Sequence, residues 1–317
     1  MKITLIGCGA IGKLWLASLA IQGHDIQGWL RVAQSDLFVD VNEPDGRTFR
    51  ELVPCNNINH LQTSELIIVC LKAWQVSDAL LPLINTIPEN TPILLLHNGM
   101  GTIEELAPLR HPILAGVTTH AAWQENNQVF HVANGITHIG AINSQAQAYY
   151  PIADILHEAL PDVAWHNNIL TTCWRKLIVN CVINPLTVEH TCKNGELIQH
   201  SIQISQIIDE ICHVMAAEGL HTDKAELTEY IYGIINNTAD NYSSMLQDMR
   251  NNRRTEIDYI TGFLIKQARA HGISTPENDR LYHLVKNREQ QYDDFRSSLH
   301  RSWEWRNWIY HYCWFIS

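Results

Sequence analysis

The chain has 317 residues, of which 46% are hydrophobic and 17% are charged. This length exceeds one typical domain of about 150 residues and falls short of three, so we expect two domains. The apolar content is sufficient for a large core and argues against disorder. The formal net charge of −11 disfavours nucleic-acid binding, because affinity for a phosphate backbone comes from lysines and arginines that neutralise it.

The cysteine pattern and the hydropathy indicate an intracellular protein. The eight cysteines form no CxxC pair, most lie in apolar runs as reduced cysteines do, and no histidine spacing is typical of a zinc site, so we expect no metal. The N-terminal segment resembles a signal peptide, but Gly7, Gly9 and Gly12 would break its helix and Lys13 interrupts it. Since no segment has roughly 20 uninterrupted apolar residues, we expect a cytoplasmic protein without a membrane span.

The first half alternates short apolar strands with helices, which is typical of βαβ units and a mostly parallel sheet. A helix is predicted from Ala10 to Gln22, where Gly23 ends it. Strands are predicted at Lys2–Ile6, Asp25–Leu30, Glu65–Leu71, Pro92–Leu96, Ile113–Val117 and Val163–Trp165, together with a pair, Gln128–Val132 and Ile136–Ile139, joined around Asn134-Gly135.

The first strand is followed by the glycine-rich turn Gly7-Cys8-Gly9-Ala10-Ile11-Gly12. Gly7 would permit a tight turn, Gly9 would let the backbone approach a pyrophosphate, and Gly12 would let the helix pack against the strand. The positive end of the helix dipole would then face the phosphates. Glycine-rich turns are common, but a strand before this one and a helix after it predict a dinucleotide site.

Two basic residues follow predicted strands and bear on the choice of cofactor. An NAD enzyme usually places an acidic residue at the end of its second strand to hold the ribose 2′-hydroxyl. Here that strand ends on Arg31, which suits the 2′-phosphate of NADP through bidentate hydrogen bonds. Lys72 follows the strand LIIVCL at a similar position. The alternative for Arg31 is an ordinary solvated arginine, but the pattern favours NADP.

Asn98 lies in the loop His97-Asn98-Gly99-Met100-Gly101, directly after another predicted strand. An amide at such a position can contact a ligand. Asn-Gly also occurs simply because asparagine tolerates a left-handed turn, and both interpretations stay open here.

The second half shows helical periodicity from about Ile169 to Arg288, so the domain boundary is predicted between residues 168 and 169. The segment Leu170–Asn184 is apolar nearly all round, which indicates a buried helix that Pro185 ends or kinks. Lys176, Asn180 and Asn184 recur every four residues and form one polar stripe on it. Either the lysine reaches solvent beside structural asparagines, or the stripe lines a cleft where a desolvated lysine donates a proton.

Several polar residues further along have a structural interpretation as well as a functional one. Asn194-Gly195 lies in a loop, and Asn241-Tyr242-Ser243-Ser244 precedes the helix MLQDM. Ser244 and Gln247 resemble a capping box, and Thr255 resembles an N-cap. Capping alone would explain Ser244 and Thr255.

Taken together, these motifs resemble the ketopantoate reductase (2-dehydropantoate 2-reductase) family. The resemblance runs from Met1 to about Tyr292, in the order of the family. The segments that carry it are GCGAIG at Gly7, LKAWQV around Lys72, HNGMGT around Asn98, WRKLIVNCVINPLT around Lys176, NGEL at Asn194, SSMLQDM at Ser243 and RTEIDYITG around Glu256.

The resemblance implies an α/β fold in which a Rossmann-type NADP-binding domain (1–168) precedes an all-α, 6-phosphogluconate-dehydrogenase-like substrate domain (169–292). It implies NADPH-dependent reduction of 2-dehydropantoate to (R)-pantoate in pantothenate and coenzyme A synthesis, by a monomer or homodimer. Lys176 matches the proton donor. Positions that look like cofactor contacts are Gly7, Cys8, Gly9, Ala10, Ile11, Gly12, Arg31, Lys72, Asn98, Ala122 and Glu256. Those associated with substrate are Asn98, Lys176, Asn180, Asn184, Asn194, Asn241, Tyr242, Ser243 and Ser244.

Two other functions remain open from the sequence. One is a different reductase on the same architecture, acting on a 3-hydroxy acid or an imine. The other is a non-catalytic NADP-sensing protein, which would leave the stripe of Lys176, Asn180 and Asn184 without a purpose.

The resemblance ends before residues 293–317, a segment with four tryptophans, arginines and histidines. This mixture could indicate a nucleic-acid or membrane patch, but the segment is short and has no clear periodicity. We therefore predict a variable terminal extension or an altered reading frame at the end of the gene, partly disordered or packed on the surface.

Overall fold

The computed structural model describes residues 1–220 and 223–291, in two compact units. The first is Met1–Leu177 and the second begins at Ile178. The boundary between them lies inside a helix. This helix starts at Ile169, the first residue after the predicted division. The functional division into 1–168 and 169–292 stays a prediction, and the segment 293–317 lies outside the described residues.

The first unit combines eleven strands with short helices. The strands are β1 (Lys2–Ile6), β2 (Asp25–Trp29), β3 (Asp36–Asn42), β4 (Thr48–Pro54), β5 (Leu66–Val69), β6 (Ile93–Leu96), β7 (Ile113–Thr118), β8 (Ala121–Glu125), β9 (Gln128–Ala133), β10 (Thr137–Ala141) and β11 (Val163–Trp165). Its helices are α1 (Ala10–Ile21), α2 (Ile58–Leu61), α3 (Val76–Leu80), α4 (Thr102–Glu105) and α5 (Ile152–Ala159).

The main sheet has seven strands in the order β11-β10-β7-β6-β5-β1-β2. Neighbouring strands are parallel throughout, except that β10 runs antiparallel to β7. Every side chain of the central strands β5 and β6 is buried, which is why their sequences LIIV and ILLL are apolar without alternation. Helix α1 covers the sheet with Trp15, Leu16 and Leu19, all fully buried. The predicted α/β, Rossmann-type fold is confirmed.

A second sheet of four strands, in the order β4-β3-β9-β8, was not predicted as such. The strands predicted as a pair on either side of Asn134-Gly135 belong to different sheets, since β9 pairs with β3 and β8 while β10 pairs with β7. The predicted pairing of these two strands with each other was therefore wrong. The physical reason is a close backbone approach: a Cβ on Gly135 would overlap the backbone of Thr119 and His120, so this glycine serves packing between segments and not a hairpin turn.

The second unit is helical throughout its described residues, as predicted. It begins within α6 (Ile169–His190) and continues with α7 (Ser201–Ala217), α8 (Lys224–Asn237), α9 (Ser244–Arg250), α10 (Thr261–Ala270) and α11 (residues 276–291), with 3-10 turns at Asn194–His200 and Ile257–Tyr259. Across the part of the chain that the structure describes, no helix is long and apolar enough to cross a bilayer.

Helix α6 does not end at Pro185, which was one of the two outcomes predicted for that residue. It continues through the proline to His190. Leu186 and Val188, beyond the proline, are fully buried, and burial of this last part offsets the backbone hydrogen bond that proline removes. Arg288 donates hydrogen bonds to the carbonyl oxygens of Val188 and Glu189 and so satisfies the end of the helix.

Candidate active site

One edge of the main sheet collects the predicted ligand residues of the first unit. Strands β2, β1, β5, β6 and β7 are neighbours and parallel, so their carboxyl ends meet at the same edge. In an open parallel sheet, ligands bind outside these ends, where the chain order reverses. Arg31 follows the end of β2, and the glycine-rich turn follows the end of β1. Lys72 follows the end of β5, and Asn98 follows the end of β6.

The glycine-rich turn has the geometry that close approach to a ligand requires. Gly7 adopts φ +95°, and a Cβ there would lie 2.6 Å from Leu71 Cδ2 and 2.7 Å from the Cys70 carbonyl oxygen. A Cβ on Gly12 would overlap the carbonyl oxygen of Gly7. Gly9 differs from both, because no atom lies within 4 Å of its Cβ position. Gly7 and Gly12 therefore serve the fold, whereas Gly9 leaves open space at the surface.

The start of α1 is suited to an anion. Its N-cap is Gly9, which has no side chain to cap the helix, so first-turn N–H groups remain for an external acceptor. Cys8, between the glycines, contributes no charge. Burial and the nearby Cys55 raise the pKa of its thiol to about 12.

The loop after β2 carries Arg31 in an exposed position. The side-chain amide of Asn56 donates to the carbonyl oxygen of Leu30 at 2.9 Å and thus braces this loop. Lys72, after β5, is half-buried, and its backbone N–H donates to Gln75 Oε1 at 3.2 Å. Asn56 was not predicted, because its role depends on a contact between distant segments.

Lys176 and Asn98 line the same cleft of the first unit. Its walls are apolar residues of β6, β7 and α6, and its polar groups are His97, Asn98, Thr102 and Lys176. The ammonium of Lys176 donates to the carbonyl oxygen of Thr118, the last residue of β7, at 2.6 Å. Thr118 was not predicted, since a backbone acceptor leaves no signature in sequence.

The loop around Asn98 is held by its neighbour. His97 lies 3.1 Å through Nδ1 from the carbonyl oxygen of Asn98 and 2.8 Å through Nε2 from the hydroxyl of Thr102. Gly99 and Gly101 have positive φ angles of +82° and +111°, so the turn needs the glycines around Asn98. Asn98 itself is half-buried.

The remaining predicted residues divide between the two units. Ala122 lies half-buried on β8 of the small sheet, in register with His131. On α6, beyond Lys176, Asn180 is half-buried and Asn184 is buried. The four-residue spacing along one continuous helix keeps the predicted stripe on one face.

A set of polar residues in the second unit is brought together by backbone hydrogen bonds. Asn194 N–H donates to the carbonyl oxygen of Asn241 at 2.9 Å, and its side-chain amide donates to Thr238 Oγ1 at 3.0 Å. Asn194 is only 7% exposed. Its Oδ1 is a buried acceptor with no hydrogen-bond partner among the described residues, which leaves it for a ligand or a water.

The serines next to this set have different roles. Ser243, not Ser244, is the N-cap of α9: its hydroxyl accepts from Leu246 N–H at 3.1 Å and lies 2.6 Å from the Thr187 hydroxyl. The predicted capping box of Ser244 and Gln247 was wrong, because the helix is capped one residue earlier and the side-chain amide of Gln247 donates to the Tyr242 carbonyl oxygen. Ser244 is exposed.

Tyr242 and Glu256 complete the predicted residues of the second unit. The guanidinium of Arg250 lies 3.8 Å from the Tyr242 ring centroid, a cation–π contact that orders the exposed ring. Glu256 is 4% exposed. Before it, Thr255 donates through its N–H and its hydroxyl to Glu289 Oε1, both at 2.7 Å, and accepts from Ile257 N–H at 3.2 Å.

The structure thus groups the candidates within each unit. The first unit gathers its basic and glycine residues at one sheet edge, and the second gathers amides and hydroxyls around Asn194. No group of three histidine, cysteine or acidic side chains in residues 1–220 and 223–291 could hold a metal ion.

The sequence matches two family models over most of its length. The model described as ketopantoate reductase PanE/ApbA matches residues 3–144, and the one described as ketopantoate reductase PanE/ApbA C terminal matches residues 168–289. A 2-dehydropantoate 2-reductase from Escherichia coli O157:H7 is 55% identical over 303 residues, covering 96% of this chain and 100% of that protein. One from Vibrio cholerae is 39% identical over 297 residues, covering 92% and 99%.

Solved structures give the same result for the fold. A D-mandelate dehydrogenase bound to NADH and anilino(oxo)acetate superposes with a TM-score of 0.82 at 26% identity, over 92% of this chain and 100% of that one. A PanE/ApbA family ketopantoate reductase from Ralstonia eutropha JMP134 superposes with a TM-score of 0.81 at 25% identity, with the same coverage.

The different surroundings of Gly7 and Gly9 predict different effects of alanine. Gly7→Ala should lower both the thermal unfolding temperature and dinucleotide affinity, since positive φ and the contact with Leu71 both oppose a Cβ. Gly9→Ala should leave the unfolding temperature unchanged but weaken the affinity about tenfold or more, because its methyl group takes up ligand space. Thermal unfolding and fluorescence titration with NADPH measure the two effects. Unchanged NADPH affinity in Gly9→Ala would contradict the assignment of this turn.

Proposed function

Because this chain belongs to the ketopantoate reductase family, we propose that it catalyses NADPH-dependent reduction of 2-dehydropantoate to (R)-pantoate, a step of pantothenate and coenzyme A biosynthesis. The chain is an oxidoreductase of this family, whose members use NADPH. The observation that carries the proposal is the position of Lys176, whose ammonium lies in a cleft with Asn98 and is held by the Thr118 carbonyl oxygen.

The residues of the sheet edge fit a dinucleotide. Gly9 leaves open space beside the uncapped start of α1, where a pyrophosphate would accept from backbone N–H groups. Arg31 follows β2 and Lys72 follows β5, the strands on either side of β1, and both would bind the 2′-phosphate. Ala122 and Glu256 are further proposed contacts. When bound, NADPH supplies the hydride that reduces the ketone carbon.

Lys176 would supply the proton. Its ammonium hydrogen-bonds the ketone oxygen, so that negative charge developing on this oxygen is stabilised as the carbon is reduced. The same ammonium then transfers one proton to the oxygen, giving the hydroxyl of pantoate. The hydrogen bond to the Thr118 carbonyl oxygen orients Nζ for this transfer.

Residues of the second unit would recognise the substrate. Amides of Asn180, Asn184, Asn194 and Asn241 and the loop 242–244 would bind its hydroxyl and carboxylate. Asn194 supports this most directly, because its buried Oδ1 needs a donor such as a hydroxyl. The hydroxyl of Ser243 is already engaged by Leu246 N–H and Thr187. We therefore favour the exposed Ser244 as the serine that contacts substrate.

We propose that residues 1–168 form the domain that binds NADPH and that residues 169–292 form the domain that binds 2-dehydropantoate. The enzyme would act as a monomer or homodimer without nucleic acid.

A second candidate follows from the likeness to the D-mandelate dehydrogenase, namely reduction of another 2-oxo acid. The polar residues around Asn194 favour a small acid with a hydroxyl group over an aromatic one.

Replacing Lys176 tests both the reaction and the proton donor. NADPH oxidation, followed by absorbance, should be faster with 2-dehydropantoate than with phenylglyoxylate. Lys176→Ala should lower kcat about 10²–10⁴-fold, as loss of a general acid does. Lys224→Ala, at an exposed lysine on α8 that pairs with Asp209, should leave kcat unchanged. A kcat of Lys176→Ala within about tenfold of wild type would remove Lys176 from the proton-donor role.

Replacing Arg31 tests cofactor selectivity. Arg31→Ala should raise the KM for NADPH by about tenfold or more and change the KM for NADH little, because only NADPH has a 2′-phosphate for the guanidinium. Steady-state kinetics with each cofactor give the comparison, with the exposed Arg47→Ala as control. Equal losses with NADPH and NADH would contradict binding of the 2′-phosphate by Arg31.

A further inference from the structure

A row of three ionisable side chains, two of them buried and one half-buried, lies behind the strand end that holds Lys176. Glu43 Oε2 lies 2.6 Å from His131 Nδ1, and His131 Nε2 lies 3.1 Å from His120 Nδ1. His131 and His120 are only 3% and 7% exposed. None of the three was singled out by the sequence, although a buried pair of histidines with a carboxylate requires an explanation.

Short contacts connect this row to the cleft. The backbone N–H of His120 donates to Thr118 Oγ1 at 3.3 Å, and the hydroxyl of the fully buried Thr137 lies 3.0 Å from the same atom. The carbonyl oxygen of Thr118 accepts from Lys176 Nζ at 2.6 Å. The turn from Thr118 to His120 therefore contacts His131 through the His120 ring and contacts Lys176 through the Thr118 carbonyl oxygen.

The hydrogen bonds determine where the protons lie. The backbone N–H of Gly135 donates to His120 Nδ1 at 3.2 Å, so this nitrogen carries no hydrogen. His131 Nε2 must therefore be the donor in its contact with the same nitrogen. Burial, and then the neighbouring His131, lower the pKa of His120 to about 4, consistent with a neutral ring that accepts both bonds.

The contact between His131 Nδ1 and Glu43 then needs one further proton, shared by the two groups. With this proton on the ring, the contact is a charge-assisted bond between a carboxylate and an imidazolium. His131 therefore donates from both nitrogens, which a neutral histidine cannot do. Charge-assisted bonds of this kind are short and strong, in keeping with the 2.6 Å distance.

We propose that Glu43 and His131 form a carboxylate–imidazolium pair that, through His120, positions the Thr118 carbonyl oxygen and thereby the ammonium of Lys176. The inference rests on the proposed role of Lys176 as proton donor. Glu43, His131 and His120 are positioning residues, since they act through Thr118. A displacement of reacting groups by about 1 Å can lower a rate by up to about 100-fold. His131 belongs to β9 of the four-stranded sheet and Thr118 to β7 of the main sheet. The four-stranded sheet would therefore affect the reaction rate by positioning Lys176 at the edge of the main sheet.

A double-mutant cycle tests this coupling. His131→Leu should lower kcat about tenfold and leave the KM for NADPH within about twofold. In the Lys176→Ala background, the same replacement should lower kcat less than about twofold, because no ammonium remains to be positioned. His213→Leu, at an exposed histidine of α7, is the control and should leave kcat unchanged. His131→Leu with kcat near that of wild type, or with an equal loss in both backgrounds, would overturn the proposal.

Two further measurements test the proposal if the His131→Leu variant fails to fold. Glu43→Leu removes only the far end of the row, and its loss of kcat, about threefold or more, should likewise vanish in the Lys176→Ala background. In wild-type protein labelled with ¹⁵N-histidine, NMR near neutral pH should show hydrogens on both ring nitrogens of His131 and on Nε2 alone of His120. A bare ring nitrogen on His131 would overturn the ion pair. If Lys176→Ala itself keeps full activity, the proton-donor role fails; if it loses activity while the cycle is additive, only the positioning role fails.

Discussion

The parallel pairing of five neighbouring strands is the constraint on which the site depends. Parallel strands place all their carboxyl ends at one edge, so the glycine-rich turn, Arg31, Lys72, Asn98 and Thr118 meet there although up to about 110 residues of chain separate them. The central strands β5 and β6 are buried on both faces, so a slip along their neighbours would carry polar loop residues into the core. The cost of burying those groups fixes the position of the loops.

The sequence predicted this edge because its signals are local. A strand, three glycines and a largely apolar helix lie within residues 2–21, and an apolar strand such as LIIV is recognisable without its partners. The second sheet lacks such signals. Strands β3 and β4 expose several of their side chains and carry charged residues, and the four-stranded sheet forms only because β3 also pairs with β9, almost 90 residues away. The strands on either side of Asn134-Gly135 also pair with other segments and not with each other: β9 pairs with β3 and β8, and β10 pairs with β7.

Within the candidate site, the positions of side chains along their strands and helices were predictable from the sequence, whereas the groups that support these side chains were not. The stripe of Lys176, Asn180 and Asn184 follows from helical spacing alone. The groups that hold such residues are often main-chain atoms or side chains from other elements, as the Thr118 carbonyl oxygen, Asn56 and His97 show. The capping error has a similar origin, since Ser243 and Ser244 are equivalent in sequence and the contact of Ser243 with Thr187 distinguishes them.

The overall negative charge of the chain does not oppose an anionic cofactor and substrate. Charges on a solvated surface act over about one Debye length, roughly 8 Å at physiological ionic strength, so remote carboxylates contribute little at the sheet edge. The potential there is set by nearby groups, namely Arg31, Lys72, Lys176 and the positive end of α1. A nucleic acid would instead cover a wide surface and meet the full acidic balance. The same acidic composition therefore disfavours binding of a nucleic acid and permits binding of a small anion. A nucleic acid interacts with charges over a wide surface, whereas a small anion interacts only with the charged groups close to its site.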